Sequence, residues 1–187
     1  QGTQPAGTVV GRHRSTALAV GFVDADPILE AEHHAHLDGA RELLKKGHAR
    51  LARDDLEALK ARIWSSASPA VRARVLGLVG HAEFELGHFD ASGKALVGAL
   101  DHAPLEPKVQ ANAALGHSLL GNTAAASQWA HSALEKDPTN VTARQVLIHH
   151  DGRDDATVLE EHEKILGTRA ELFFALGHRA SRNEDPA

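Results

Sequence analysis

The sequence predicts an all-α fold, a right-handed superhelical solenoid of antiparallel helix pairs. Three observations carry that expectation. Landmarks recur 34 residues apart through residues 73–140: Gly87 and Gly121, Ser92 and Ala126, Ala99 and Ala133, Leu100 and Leu134, Pro104 and Pro138. A fixed period in the thirties is the signature of stacked helical units. The composition is 42% hydrophobic but only 4% aromatic. That suits helices brought close by Ala and Gly, whereas a β-sandwich wants more Val, Ile, Tyr and Phe. Finally, a Gly follows each first helix, where it supplies a left-handed stop, and a Pro follows each second helix, which it cannot continue.

Taken in order, residues 1–11 are polar and carry Gly and Pro. Residues Thr16 to Val23 form the one strand-like stretch. Asp24-Ala25-Asp26-Pro27 reads as a helix start, an Asp cap followed by Pro in the first turn. The spacing of apolar residues predicts helices from Pro27 to Leu37, from Asp38 to Ala52, and from Leu56 to Ser65 behind the Asp54-Asp55 cap. The latter two read as a degenerate copy of the main unit, with Gly47 in the place of Gly80 and Leu56-Glu57-Ala58 in that of Phe89-Asp90-Ala91. The clear repeats occupy 73–106 and 107–140. Their helices are predicted over Pro69–Leu86, Asp90–Ala103, Lys108–Leu120 and Ala124–Lys136. A third cycle follows over Val141–His150 and Ala156–Leu166, then a last helix over Thr168–Ser181. The expected organisation is an N-terminal extension or strap (1–26), a helical repeat domain (27–181) and a polar tail (182–187).

The formal net charge is −5, with His neutral. Lys and Arg number ten against nine Asp and Glu in residues 1–72, four against seven in 73–140, and six against nine in 141–187. No segment is basic enough to favour nucleic acid. The absence of Cys excludes disulfides, thiol catalysis and Cys-ligated zinc. No apolar run approaches the roughly 18 residues that cross a bilayer. We expect a cytoplasmic protein without a cofactor. Uncapped ends of such an array would also permit homo-oligomers.

The residues of the central stretch resemble the tetratricopeptide repeat (TPR) family, whose unit is a 34-residue helix-turn-helix with small residues at fixed packing positions. The matches are Gly80, Gly87, Phe89, Ser92, Ala99 and Pro104 in one copy, and Ala114, Gly121, Ala126, Ala133 and Pro138 in the next. The aromatic residues usual in the first helix are mostly replaced: Leu76 stands in the Trp place, and Glu83 and His117 in the Tyr place. The resemblance is strong over 73–140 and weaker over 38–72 and 141–180. It implies a binding scaffold, since a fold of this kind does not by itself specify an activity. Residues 168–178, Thr-Arg-Ala-Glu-Leu-Phe-Phe-Ala-Leu-Gly-His, also resemble the final repeat of TPR segments fused to bacterial sulfotransferase domains.

In a curved stack the first helices line the concave side. The 34-residue register then puts Arg74, Gly77, His81, Phe84 and Glu85 on the groove in one unit, and Lys108, Ala111, Leu115, Ser118 and Leu119 in the next. Arg41, Leu44 and His48 follow from the degenerate copy, and Glu171 and His178 from the last helix. The expected binding residues are Arg41, His48, Arg74, His81, Glu85, Lys108, Ser118 and His178, with the cations holding acidic groups of a peptide or protein. The pairs Gly47-His48, Gly80-His81 and Gly177-His178 align in that register, which predicts partner binding that changes between about pH 5.5 and 7. Two alternatives accompany this reading. One is a docking domain cut from a larger enzyme, such as a sulfotransferase or glycosyltransferase. The other is a His-rich metal-binding protein using His33, His34 and His36, for which no second ligand block exists at a recognisable spacing. No phosphate loop or nucleophile elbow is present. Carboxylate pairs such as Asp54-Asp55 sit at helix starts, where the helix dipole accounts for them. The sequence is therefore expected not to be an enzyme.

Overall fold

The computed structural model describes residues 27–150, 153 and 155–167. Among them every regular element is helical. They are α1 (Pro27–Lys45), α2 (Ala49–Ile63), α3 (Pro69–Glu85), α4 (Phe89–Gly98) with a 3-10 turn over Ala99–Asp101, α5 (Pro107–Leu119), α6 (Thr123–Lys136), α7 (Val141–His150) and α8 (Asp155–Leu166). The expected strap, the strand-like Thr16–Val23, the helix over 168–181 and the tail lie outside the described residues.

From α3 onward the helix boundaries follow the sequence reading to within about two residues, because local chemistry fixes them. Ser68 caps α3, its hydroxyl accepting from the Val71 amide at 3.3 Å ahead of Pro69 at the first helical position. Pro107 likewise stands at the first position of α5, there behind Glu106, whose side chain makes no cap bond. Three turns are built alike. The amides of Gly47, Gly87 and Gly121 donate to Leu44, Phe84 and Ser118, and those of His48, His88 and Asn122 to Leu43, Glu83 and His117. Each is a Schellman stop closed by Gly at φ of 75–77°, a conformation that costs other residues a clash with Cβ.

Those turns correct the sequence reading of the first pair. Gly47 is the turn glycine, equivalent to Gly87 and Gly121, and not to Gly80, which is buried within α3. Residues 27–45 consequently form one continuous helix, where two helices meeting at Leu37-Asp38 were expected. Gly47 and Gly87 are 40 residues apart, against 34 for Gly87 and Gly121. The extra length enters through α2 and α3, of 15 and 17 residues.

Each helix packs on the next, and α1, α3, α5 and α7 also touch in series, α1 on α3, α3 on α5 and α5 on α7. Among the described residues the backbones of α2, α4 and α6 do not approach one another in this way, although Trp64, just past α2, meets His102, just past the 3-10 turn, edge-on with centroids 5.3 Å apart. Two apolar clusters result. The first joins Leu37, Ala40 and Leu44 of α1 to Leu56, Leu59 and Ile63 of α2 and Val71, Val75 and Leu78 of α3. The second is nearly all Ala: Ala111 and Ala114, then Ala126, Ala130 and Ala133, then Ala143 beside Val146. Such small side chains pack densely only when helices approach closely. Trp64 and Trp129 flank the clusters half-buried, as packing residues.

Between the clusters the contact is built on glycine. Gly93 of α4 and Gly116 of α5 face each other, and a Cβ on Gly116 would stand 2.8 Å from the Gly93 carbonyl oxygen. Beside them the buried Ser92 hydroxyl donates to the Gly80 carbonyl at 2.8 Å, tying α4 to α3.

Candidate functional site

The row formed by α1, α3, α5 and α7 carries most of the expected binding residues. At its α1–α3 end, Arg74 donates through Nη2 to Asp38 Oδ1 and lies 2.7 Å through Nη1 from His34 Nδ1. Arg41 donates to the same Asp38 oxygen at 2.9 Å. Two guanidinium groups thus share one carboxylate, and one of them also meets an imidazole, which leaves a local excess of positive charge. Each guanidinium has five N–H donors, more than these contacts engage. Asp38 and Arg41 remain open to solvent, while Arg74 is held more tightly, its side chain 23% exposed.

Further along α3, His81 and Glu85 pair one turn apart at 3.4 Å, each about half exposed. Phe84 between them meets Phe89 edge-on across the turn, centroids 5.5 Å apart. On α5, Ser118 Oγ lies 2.9 Å from His150 Nε2 of α7, so this pair joins neighbouring helices of the row. Lys108 stands exposed in the first turn of α5. Its charge adds to the hydrogen bonds from Thr139, the larger influence, that hold the Asp137 carboxyl below its ordinary range. Arg41, Arg74, His81, Glu85, Lys108 and Ser118 therefore fall on three successive helices, α1, α3 and α5.

His48 does not join them. It occupies the position just before α2 at the turn, without a side-chain cap bond, the counterpart of His88 before α4, because the left-handed glycine beside it fixes the register. The alignment of Gly47-His48 with Gly80-His81 is therefore corrected, and with it the expected line of imidazoles along one wall. His178 and Glu171 lie outside the described residues.

The three histidines of the metal alternative diverge. His33 is buried at 6% exposure, His34 contacts Arg74, and His36 Nε2 lies 2.9 Å from Asp55 Oδ2 on α2. Among the described residues no group of three or more His, Asp or Glu is placed to hold a metal ion.

One structural device was not anticipated. Gln110 Nε2 donates to the Pro104 carbonyl at 2.8 Å. One repeat later, Arg144 donates to the Pro138 carbonyl through Nε at 2.9 Å and Nη2 at 2.6 Å. In each case a buried polar residue near the start of a first helix clamps the proline that ends the preceding pair. The signal was present in the sequence as two large polar residues 34 apart, each six residues beyond a Pro. Arg144→Leu removes both bonds to the Pro138 carbonyl and the 3.2 Å contact of Nη1 with His162 Nδ1, all made by a charged group, and is expected to cost about 2–4 kcal/mol. Gln110→Leu, which removes one neutral bond, is expected to cost about 1 kcal/mol. Urea denaturation of the two variants checks the order.

His117 lies beside the Gly93–Gly116 contact, and burial pushes its imidazole below the ordinary histidine range. Its Nδ1 is buried without a hydrogen-bond partner. The folded state then binds fewer protons than the unfolded chain. Its contribution to stability is complete above the unfolded value near pH 6.5 and is lost as pH falls below it. Thermal melts between pH 7.5 and 5 are expected to show a falling midpoint, and His117→Leu to make the fall shallower.

Among the described residues no helix is long and apolar enough to cross a membrane. The sequence matches no protein-family model and no curated protein.

Proposed function

We propose that this protein is a non-catalytic scaffold, a TPR-like right-handed solenoid whose inner helices α1, α3, α5 and α7 hold a peptide or protein segment. The observation that carries the reading is the packing order. Among the described residues the backbones of the first helices approach one another in series, while those of α2, α4 and α6 do not. In a curved stack that makes the first helices the continuous inner wall. The chemistry of that wall sets the partner's character. Arg41, Arg74 and Lys108 offer cationic donors along it, with His81 and Ser118 between. An extended segment bearing Asp or Glu meets these donors through charge-assisted bonds, and Asp38 already shows the geometry in which a carboxylate engages both arginines.

The test is capture from a lysate of the natural source, comparing the wild-type chain with Arg74→Glu/Lys108→Glu and with Lys94→Glu on α4. A partner of the groove is expected to bind the double variant at least about tenfold more weakly and the α4 variant unchanged. Equal retention by all three would remove the groove reading.

A further inference from the structure

Arg74 and Lys108 stand in register on neighbouring helices of the row. Phe84 of α3 meets Phe89 of α4 at the turn, and at the other end of the pair Gly98 of α4 faces Leu76 of α3. The two helices are therefore antiparallel. Gly93 of α4 faces Leu120 of α5, and Val97 faces Gly116, so the direction reverses again and α5 runs parallel to α3. These two meet at Gly77 and Asn112, where a Cβ on Gly77 would stand 3.4 Å from Asn112 Nδ2. Arg74 lies three residues before Gly77, and Lys108 four before Asn112. Each is thus one turn N-terminal to the contact and on the same face of its helix. Packed helix axes lie about 8–10 Å apart, and that is the span from one cation to the other.

A partner's carboxylates must match this span while pointing the same way. In a β-strand, same-face residues recur at about 6.6 Å and about 13 Å, one too short and the other too long. In a polyproline II chain every third residue returns to the same face, at about 9.3 Å. A helix reaches about 10.5 Å at its seventh residue, but its width of about 10 Å holds its backbone off the wall. Gly77 is half-buried between the two cations and raises no side chain there, which suits a thin extended chain. At one end of the span, Arg41 and Arg74 already share a carboxylate oxygen of Asp38 and keep further N–H donors. At the other, Lys108 is exposed.

We propose that the segment held by this wall is a polyproline II-like peptide with two acidic residues three positions apart, one meeting Arg41 and Arg74 and the other Lys108. This rests on the reading of α1, α3 and α5 as a binding wall and adds the conformation and spacing of what binds there.

The test uses the isotope-enriched full chain at low ionic strength, titrated with three peptides of equal composition and charge and followed by amide shifts. Their sequences are Pro-Glu-Pro-Pro-Glu-Pro, Pro-Glu-Pro-Glu-Pro-Pro and Glu-Pro-Pro-Pro-Glu-Pro, with acids three, two and four apart. The first is expected to shift amides around Arg74, Gly77 and Lys108 and to bind about threefold to fivefold more tightly than the others, the worth of one exposed ion pair. Lys108→Glu is expected to remove that preference. The same variant is expected to prefer, over the two-Glu peptide, either Pro-Glu-Pro-Pro-Lys-Pro or Pro-Lys-Pro-Pro-Glu-Pro, which also fixes the direction of the chain. Equal binding of all three peptides, abolished by Arg74→Glu/Lys108→Glu, would overturn the spacing and leave the wall standing. Shifts confined to α4 and α6 would overturn both. No shift with any peptide, or tighter binding of a helix-forming peptide with two Glu seven apart, would overturn the extended segment, while dependence of lysate capture on Arg74 and Lys108 would still uphold the wall.

Discussion

Gly116→Ala is expected to destabilise the fold by about 1–3 kcal/mol, against the ordinary preference of helices. In a helix interior, Ala in place of Gly gains roughly 0.5–1 kcal/mol by restricting the unfolded chain. At Gly116 the new methyl meets the Gly93 carbonyl oxygen at 2.8 Å, Leu96 Cβ at 3.0 Å and Val97 Cγ2 at 3.1 Å. The first of these is backbone, so relief requires α4 and α5 to separate. Separation loosens Leu96 against Gly80 and strains the bond from Ser92 to the Gly80 carbonyl, which extends the cost to α3. Gly98→Ala provides the comparison, since its Cβ would find only Leu76 Cδ1 at 3.8 Å. That substitution is expected to stabilise by about 0.5–1 kcal/mol. Urea midpoints at unchanged slope measure both. Opposite signs support the close approach of α4 and α5, and a stabilising Gly116→Ala would refute it.

Leu56→Ala is expected to cost about 2–5 kcal/mol. Leu56 is fully buried among α1, α2 and α3. Its cluster neighbours Leu37, on α1, and Val71 and Val75, on α3, are branched and fixed on two other helices, so the cavity cannot close by moving one side chain. Marginal proteins hold only about 5–15 kcal/mol in total. A loss of this size is a large share of it. The measurement also tests whether the first pair folds with the rest. A single transition shifted to lower urea supports one cooperative unit. A loss of cooperativity confined to α1–α3, with α5–α7 unchanged, would show that the helices melt in segments.

How much of this was legible in the sequence depended on where local rules act alone. Gly87, Gly121, Pro104 and Pro138 fix turns through backbone sterics, and they placed α3 to α7 closely. The first pair was misread at Gly47, because a Gly-His dipeptide looks the same inside a helix as at its stop. Only the positive φ at Gly47, set by the Schellman bonds around it, separates this glycine from the helical Gly80. Among the site residues, Arg74 and Lys108 were found from the 34-residue register, since periodicity reports which face a residue occupies. Asp38 and His34 were not placed with them. Their contact with Arg74 joins residues 36 and 40 apart, and no local pattern encodes that pairing. The carbonyl clamps of Gln110 and Arg144 escaped because polar residues on a helix read by default as a solvated face.

The central claim, that α1, α3, α5 and α7 form the binding wall, is tested most directly by site-specific photo-crosslinking to the captured partner. A photoreactive residue at His81 or Ser118 is expected to crosslink the partner, and one at Lys94 on α4 or Gln128 on α6 is expected not to. Crosslinks from Lys94 and Gln128 with none from His81 or Ser118 would contradict the claim and move the binding surface to the opposite face.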